Sequence, residues 1–170
     1  MAKKIPARMQ DYAIYLISGG RLTALGTATV TMPTIEAMSD TISGTGMLGE
    51  AEVPTIGHFS SMELELEWNT VDGNAVTLAP GMKKDIVIRA RMQQESSLGN
   101  EFESVRIYAT VRPKTIDLGS LEMGSATGTT NTLECVAIKV VVEGKDRLEI
   151  DKFAGVYRVN GKSMLPEGDL

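Results

Sequence analysis

Apolar and polar residues alternate at a period of two in several stretches of this chain, the signature of β-strands with one buried and one wet face. The strictest alternation covers residues 61–69, where Met62, Leu64, Leu66 and Trp68 share one face and Glu63, Glu65 and Glu67 the other. Residues 85–92 set Ile86, Ile88, Ala90 and Met92 against Val87, Arg89 and Arg91; residues 103–112 set Val105, Ile107, Ala109 and Val111 against Arg106, Tyr108 and Thr110. In 27–32, Thr27, Thr29 and Thr31 oppose Ala28, Val30 and Met32, and Pro33, with no amide hydrogen to give a ladder, ends the run. Residues 133–142 are apolar on both faces, which predicts a central strand covered on both sides.

Turn chemistry divides these runs. The apolar stretch 12–17 stops at Ser18-Gly19-Gly20, a tight reversal that makes 21–32 its hairpin partner. Residues 143–146 turn the central strand into 147–159, with Gly155 read as a bulge, and Asn160-Gly161 marks another turn. The polar residues 93–101 read as an exposed connection, and the Gly, Ser and Thr-rich stretch 119–130 as a mobile tip. Ile35, Met38 and Ile42 fall near one helical face, so 34–42 is expected to make a helical turn or two; 75–82 has room for no more than one turn. The expectation is an all-β fold, a mainly antiparallel sandwich or barrel of about seven to eight strands with at most one or two short helices. It forms a single domain over 1–170, with an N-terminal arm at 1–11, a long loop at 39–58 and a C-terminal tail at 162–170.

Composition narrows the chemistry. A chain of 170 residues is long enough for a real core, and 42% hydrophobic with 23% charged residues is ordinary for a globular protein. No stretch approaches the roughly 18 apolar residues of a membrane span, and the start lacks an apolar secretion segment, so a cytoplasmic site of synthesis and no membrane span are expected. The single cysteine, Cys135, excludes an internal disulfide framework and reads as an inert buried thiol among apolar neighbours. The single histidine, His58, reads as a surface residue; one His and one Cys in separate segments are weak grounds for a catalytic pair. A net charge of −5 argues against a general grip on nucleic acid, which needs clustered Lys and Arg, but is compatible with a surface that repels it.

Gly44, Gly46 and Gly49 spell G-x-G-x-x-G. A dinucleotide site needs a strand leading in and a helix beginning at the third glycine, so that backbone N–H groups face the pyrophosphate. Neither flank complies: residues 36–43 do not read as a buried strand, and Pro54 and Gly57 follow within nine residues. No other catalytic or metal-spaced motif is present, and no cofactor is expected. The ladder Glu63, Glu65, Glu67 places carboxylates about 7 Å apart, tolerable on a wet sheet face. A face that must keep phosphates from sticking would look the same.

The order and spacing of several motifs carry a resemblance. These are VTMP at 30–33; G-x-G-M-x-G-x-A-x-V at Gly44, Gly46, Met47, Gly49, Ala51 and Val53; Leu66-Glu67-Trp68; Glu149-Ile150-Asp151; and Val159-Asn160-Gly161. Over about residues 12–163 the chain resembles the FII-like family of major tail tube proteins of contractile-tailed bacteriophages and related phage-tail particles. The resemblance implies a β-sandwich or barrel subunit that associates with itself into stacked hexameric rings, forming a tube inside the contractile sheath through which DNA passes. Its implied partners are the tail sheath protein, the baseplate or initiator protein and the tail terminator, in a virion assembled in the host cytoplasm. The loop at 39–58 would be the inter-subunit contact, with Gly44, Gly46 and Gly49 giving backbone freedom and Met47, Leu48 and Val53 supplying adhesive side chains. Glu63, Glu65 and Glu67 would be candidates to line the lumen. One departure is the segment after Trp68, where the family has a clear helix and residues 71–82 are short and broken. The alternative from another class is a monomeric β-sandwich ligand-binding module, for which eight scattered aromatics offer little.

Overall fold

Twelve strands and one short helix form among the described residues, 4–26 and 28–166 of a computed structural model. Thr27, counted above in a polar face, and the ends of the arm and tail at 1–3 and 167–170 lie outside them. In chain order the elements are β1 (Ile5–Ser18), β2 (Arg21–Ala24), β3 (Ala28–Thr31), β4 (Ala37–Ile42), β5 (Ala51–Phe59), β6 (Glu63–Trp68), α1 (Gly73–Thr77), β7 (Lys84–Ser96), β8 (Gly99–Asp117), β9 (Thr129–Val142), β10 (Lys145–Asp151), β11 (Val156–Val159) and β12 (Lys162–Ser163). All pairings are antiparallel. The all-β expectation holds, but twelve strands replace the seven to eight counted from the sequence.

Two layers share strands β8 and β9. In the first, β3 pairs with β6, β6 with the first half of β9, and that half with residues 112–117 of β8. In the second, the order is β12-β11-β10-β9-β8-β7-β1-β2, using the other halves of the same two strands. The change of layer coincides with register shifts between Thr110 and Val111 and between Pro113 and Thr115 of β8, the former leaving Val136 as an extra residue on β9. Such bulges bend a strand out of one sheet and into another.

The core fills the space between the layers. Leu64, Leu66 and Trp68 of β6 meet Ile14 and Leu16 of β1, Ile86 and Ile88 of β7, and Ala109, Val111, Leu133 and Cys135 of the shared strands. At about 1.5–3 kcal/mol for each large side chain removed from water, this cluster is the main drive for the two layers to close. β6 obeys its alternation at every position, with exposed glutamates between buried apolar residues. On β9 only the core face is fully buried; the other face is half-covered, so the double-sided cover expected for 133–142 is partial.

Four further expectations are corrected. The sequence 34–42 makes no helical turn: 37–42 is β4, which pairs with β5. The polar connection at 93–101 is the end of a long β7–β8 hairpin whose turn is confined to Ser97 and Leu98. Gly155 is no bulge but a turn residue at φ 65 between β10 and β11, in a turn where Asp151 Oδ1 accepts from the amides of Phe153 and Ala154. The run expected as one partner for 12–17 divides, with β2 pairing β1 and β3 pairing β6. The arm at 1–11 is itself strand from Ile5. The turns at Glu143-Gly144 and Asn160-Gly161 form as read, all four residues at positive φ.

Candidate functional site

The segment 39–58 projects as the β4–β5 hairpin, a two-stranded sheet separate from the main one. Its irregularity is limited to residues 43–50 at the tip and to 55–58, which bulge between the pairs Ala37–Phe59 and Ser39–Pro54. The neck is fastened to the body: Ser60 N donates to Glu36 O at 2.9 Å, and Phe59 stacks edge-on against Tyr157 of β11 at 4.9 Å. Lys152 Nζ adds a bond to Ser60 O at 2.8 Å, and Leu165 packs on Gly57, whose φ of 79 a side chain would resist. Beyond the neck both faces are bare. Met38, Ile42, Met47, Val53 and Ile56 are exposed, and Leu48 is as open as in a free peptide at 111%.

The glycines Gly44, Gly46 and Gly49 sit at this tip between antiparallel strands, with no helix starting at the third. The backbone N–H array of a nucleotide cradle is therefore not formed there. Only Gly46 and Gly49 need positive φ, at 98 and 139. His58 lies exposed in the bulge, and Cys135 is buried in the core, far along the chain and in another strand. Burial pushes the Cys135 thiol up to about 11, with the neighbouring Glu134 carboxylate adding to the effect.

A second surface is the outer face of the first layer. Register sets Thr31, Glu65 and Thr132 in one row and Thr29, Glu67 and Thr130 in the next, while Glu63 lies opposite Glu134. The three expected glutamates are thus brought together, all exposed, on a face otherwise dominated by threonines and carboxylates. Lys114 Nζ donates to Glu63 and is raised above its ordinary value by that bond. Glu134 accepts from Ser61 Oγ at 2.6 Å and lies 3.8 Å from Lys152 Nζ. Both edges of this four-stranded layer are open among the described residues: β3 pairs only with β6, and β7 stops pairing with β8 at Val111.

The match to a family model now adds the decisive observation. The model for phage tail tube protein FII aligns with residues 7–168, nearly the whole chain. The chain belongs to that family. A tail tube protein is a structural component of the virion that associates with itself and with other tail proteins, and the family is a structural one not known as enzymatic. No curated protein matches the chain. No helix among the described residues is long and apolar enough to cross a membrane.

Sequence reading singled out 39–58 as a long loop, which is instead the β4–β5 hairpin, and the glutamate ladder, which forms an exposed row on β6; it missed the two open strand edges and an arginine–aromatic face on the second layer. The edges leave no signal in composition, since they depend on where partner strands stop. The face was legible in part: Arg89 and Arg91, and Arg106 and Tyr108, were assigned to the non-core sides of their strands, but their register across the sheet was not.

Proposed function

We propose that this chain is the ring-forming subunit of the inner tube of a contractile phage tail or related particle. Six copies close a ring, rings stack into a tube within the sheath, and DNA passes through the channel. The observation that carries this reading is the four-stranded layer with two open edges and an acidic, threonine-rich outer face. Open edges are sites where another chain adds a strand, and closure into a barrel removes them. Pairing the β3 edge of one copy with residues 112–117 of the next would give about 24 strands in six copies; at about 4.8 Å spacing the circumference is about 115 Å, and strand tilt widens it further. That channel admits a DNA duplex. The face carrying Glu63, Glu65 and Glu67 would line it and repel phosphate, which suits a conduit that must not hold its cargo.

In the same reading the β4–β5 hairpin joins subunits, with Met47, Leu48 and Val53 covered by a neighbour and Gly44, Gly46 and Gly49 shaping the tip. The tube engages sheath, baseplate or initiator, and terminator proteins, and is assembled in the host cytoplasm. Negative-stain microscopy and sedimentation velocity of purified protein test the proposal. Six-fold rings or tubes are expected; a strictly monomeric species at high concentration defeats it. The Met47→Ser, Leu48→Ser double variant should remain folded and fail to form tubes, and normal tubes from it would reduce the hairpin to a connector.

A further inference from the structure

The projecting hairpin is acidic, and one patch on the outer face of the second layer, at the β7–β8 pairing, is rich in arginine. Residues 36–59 hold Glu36, Asp40, Glu50 and Glu52 but neither lysine nor arginine, so four of the chain's 22 acidic residues and none of its 17 basic ones lie there. On the second layer, Arg89 of β7 stands directly opposite Arg106 of β8, and Arg91 follows two residues along the same face. Like charges placed directly opposite across antiparallel strands weaken a sheet. No ion pair among the described residues relieves them. Arg89 rests over the Tyr15 ring at 5.1 Å, and among the described residues lining the open groove around these arginines Asp11, directly opposite Arg91, is the one carboxylate. On the same face, Phe102 and Tyr108 are 53% and 39% exposed.

We propose that this arginine–aromatic face receives the β4–β5 hairpin of a second copy. Glu50 and Glu52 would meet Arg89, Arg91 and Arg106, while Met47 and Leu48 cover Phe102 and Tyr108. The inference rests on the tube-subunit reading and adds to it the surface on which the hairpin lands. Three features select this occupant. The hairpin is an isolated two-stranded sheet, a unit too small to be stable without something to pack on. The hairpin is acidic, and the patch it meets sets three arginines against the carboxylate of Asp11 in the groove between them. Its tip carries Met47 and Leu48, neither branched at Cβ, which can mould onto flat rings. Arginine also suits the role, because its planar fork binds carboxylates at two points and stacks on aromatics. The contact is heterologous, one patch against a different patch, so it propagates from copy to copy instead of ending at a dimer.

Charge reversal and exchange in the full-length chain tests the docking. Three variants are compared with the parent by sedimentation velocity and negative stain: Arg89→Glu with Arg106→Glu, Glu50→Lys with Glu52→Lys, and all four together. Each double reversal should raise the protein concentration needed for assembly about tenfold or more, and the fourfold exchange should recover most of that loss, the mark of a direct contact. Assembly of the parent should weaken as salt rises from about 0.05 to 0.5 M. The single variant Arg106→Glu places opposite charges across the strands, so its melting temperature should hold or rise while assembly falls; this separates lost docking from lost folding. Double reversals that assemble like the parent overturn the inference and leave the tube-subunit reading standing. A fourfold exchange no better than the worse double variant also overturns it, because the two patches then have other partners. Reversal that spares assembly but abolishes binding of the parent to heparin assigns the face to polyanions instead. A parent that never assembles removes the tube-subunit reading itself.

Discussion

Asn131 shows how one polar residue can organise an apolar core. It is fully buried, accepts from Trp68 Nε1 at 2.8 Å and donates to the carbonyls of Ala75 and Leu78 at 3.1 and 3.2 Å. It thereby satisfies the indole and the end of α1, the remnant of the helix whose weakness the sequence revealed. Trp68 was legible as core from its alternation, but its partner was not, since Asn131 lies just beyond a run of polar loop residues. Asn131→Ala should cost about 3 kcal/mol in urea unfolding, because a buried N–H and two carbonyls lose their partner. A loss below about 0.5 kcal/mol would mean the network is replaced by water or by rearrangement. Cys135 allows a second check. Its native thiol titrates near 11, above the ordinary 9.0, because the folded state disfavours the thiolate. The unfolded chain therefore releases its proton first as pH rises, so this contribution is intact below pH 9 and is lost progressively toward pH 11. A thiol reagent at pH 8 should leave the native protein unlabelled and modify it fully in denaturant. Lys4, Lys114 and Lys139, each raised by a carboxylate partner, act with the same sign at higher pH still.

At the scale of elements, legibility follows the core. β6 could be read residue by residue because its two faces meet different surroundings, one dry and one wet. The far end of the β7–β8 hairpin and the strands β4 and β5, apart from Phe59, lie beyond the apolar core, so no dry face forces apolar–polar alternation on them, and their strand character comes mainly from the backbone ladder. Ile35, Met38 and Ile42 mimicked helical spacing for that reason. The stretch 119–130 was read as a mobile tip, yet 129–130 already belong to β9, Ser120 N donates to Thr127 O at 2.9 Å and Thr127 N to Asn69 O at 2.9 Å, which fastens the rest to the end of β6. Two glycines in it make a controlled comparison. Gly119 and Gly124 both adopt positive φ, at 75 and 82, but a Cβ on Gly119 would lie 1.8 Å from Thr127 O while one on Gly124 meets nothing. Gly124→Ala should cost about 1 kcal/mol for the backbone alone. Gly119→Ala should cost more than twice as much and loosen the loop, as read by thermal unfolding and amide exchange at Ser120 and Thr127. Equal effects would show that the 118–128 contacts are not held in solution.

For the whole molecule, the separation of charge matters more than its total. A formal charge of −5 per chain gives about −30 in a six-membered ring, yet the arginine face leaves the surface far from uniformly acidic. If the threonine–glutamate face lines the channel, its sign governs whether cargo slides or sticks; if the strand edges and the hairpin join the subunits, they govern whether the tube exists. Those roles are separable by experiment. Replacing Glu63, Glu65 and Glu67 with Gln should leave assembly unchanged, because none of the three side chains lies in the hairpin or is needed for the backbone edges. Replacing all three with Lys should still give tubes, but six rows of ammonium groups would face inward, and each phosphate neutralised releases bound counterions. Short DNA duplexes should then co-sediment with the lysine tubes at low salt, appear as density along the axis in cryo-electron microscopy, and dissociate as salt rises. Tubes of the parent and of the glutamine variant should stay empty. DNA bound to the outside of lysine tubes, with a clear channel, would place this face away from the lumen while leaving ring formation through the open edges intact.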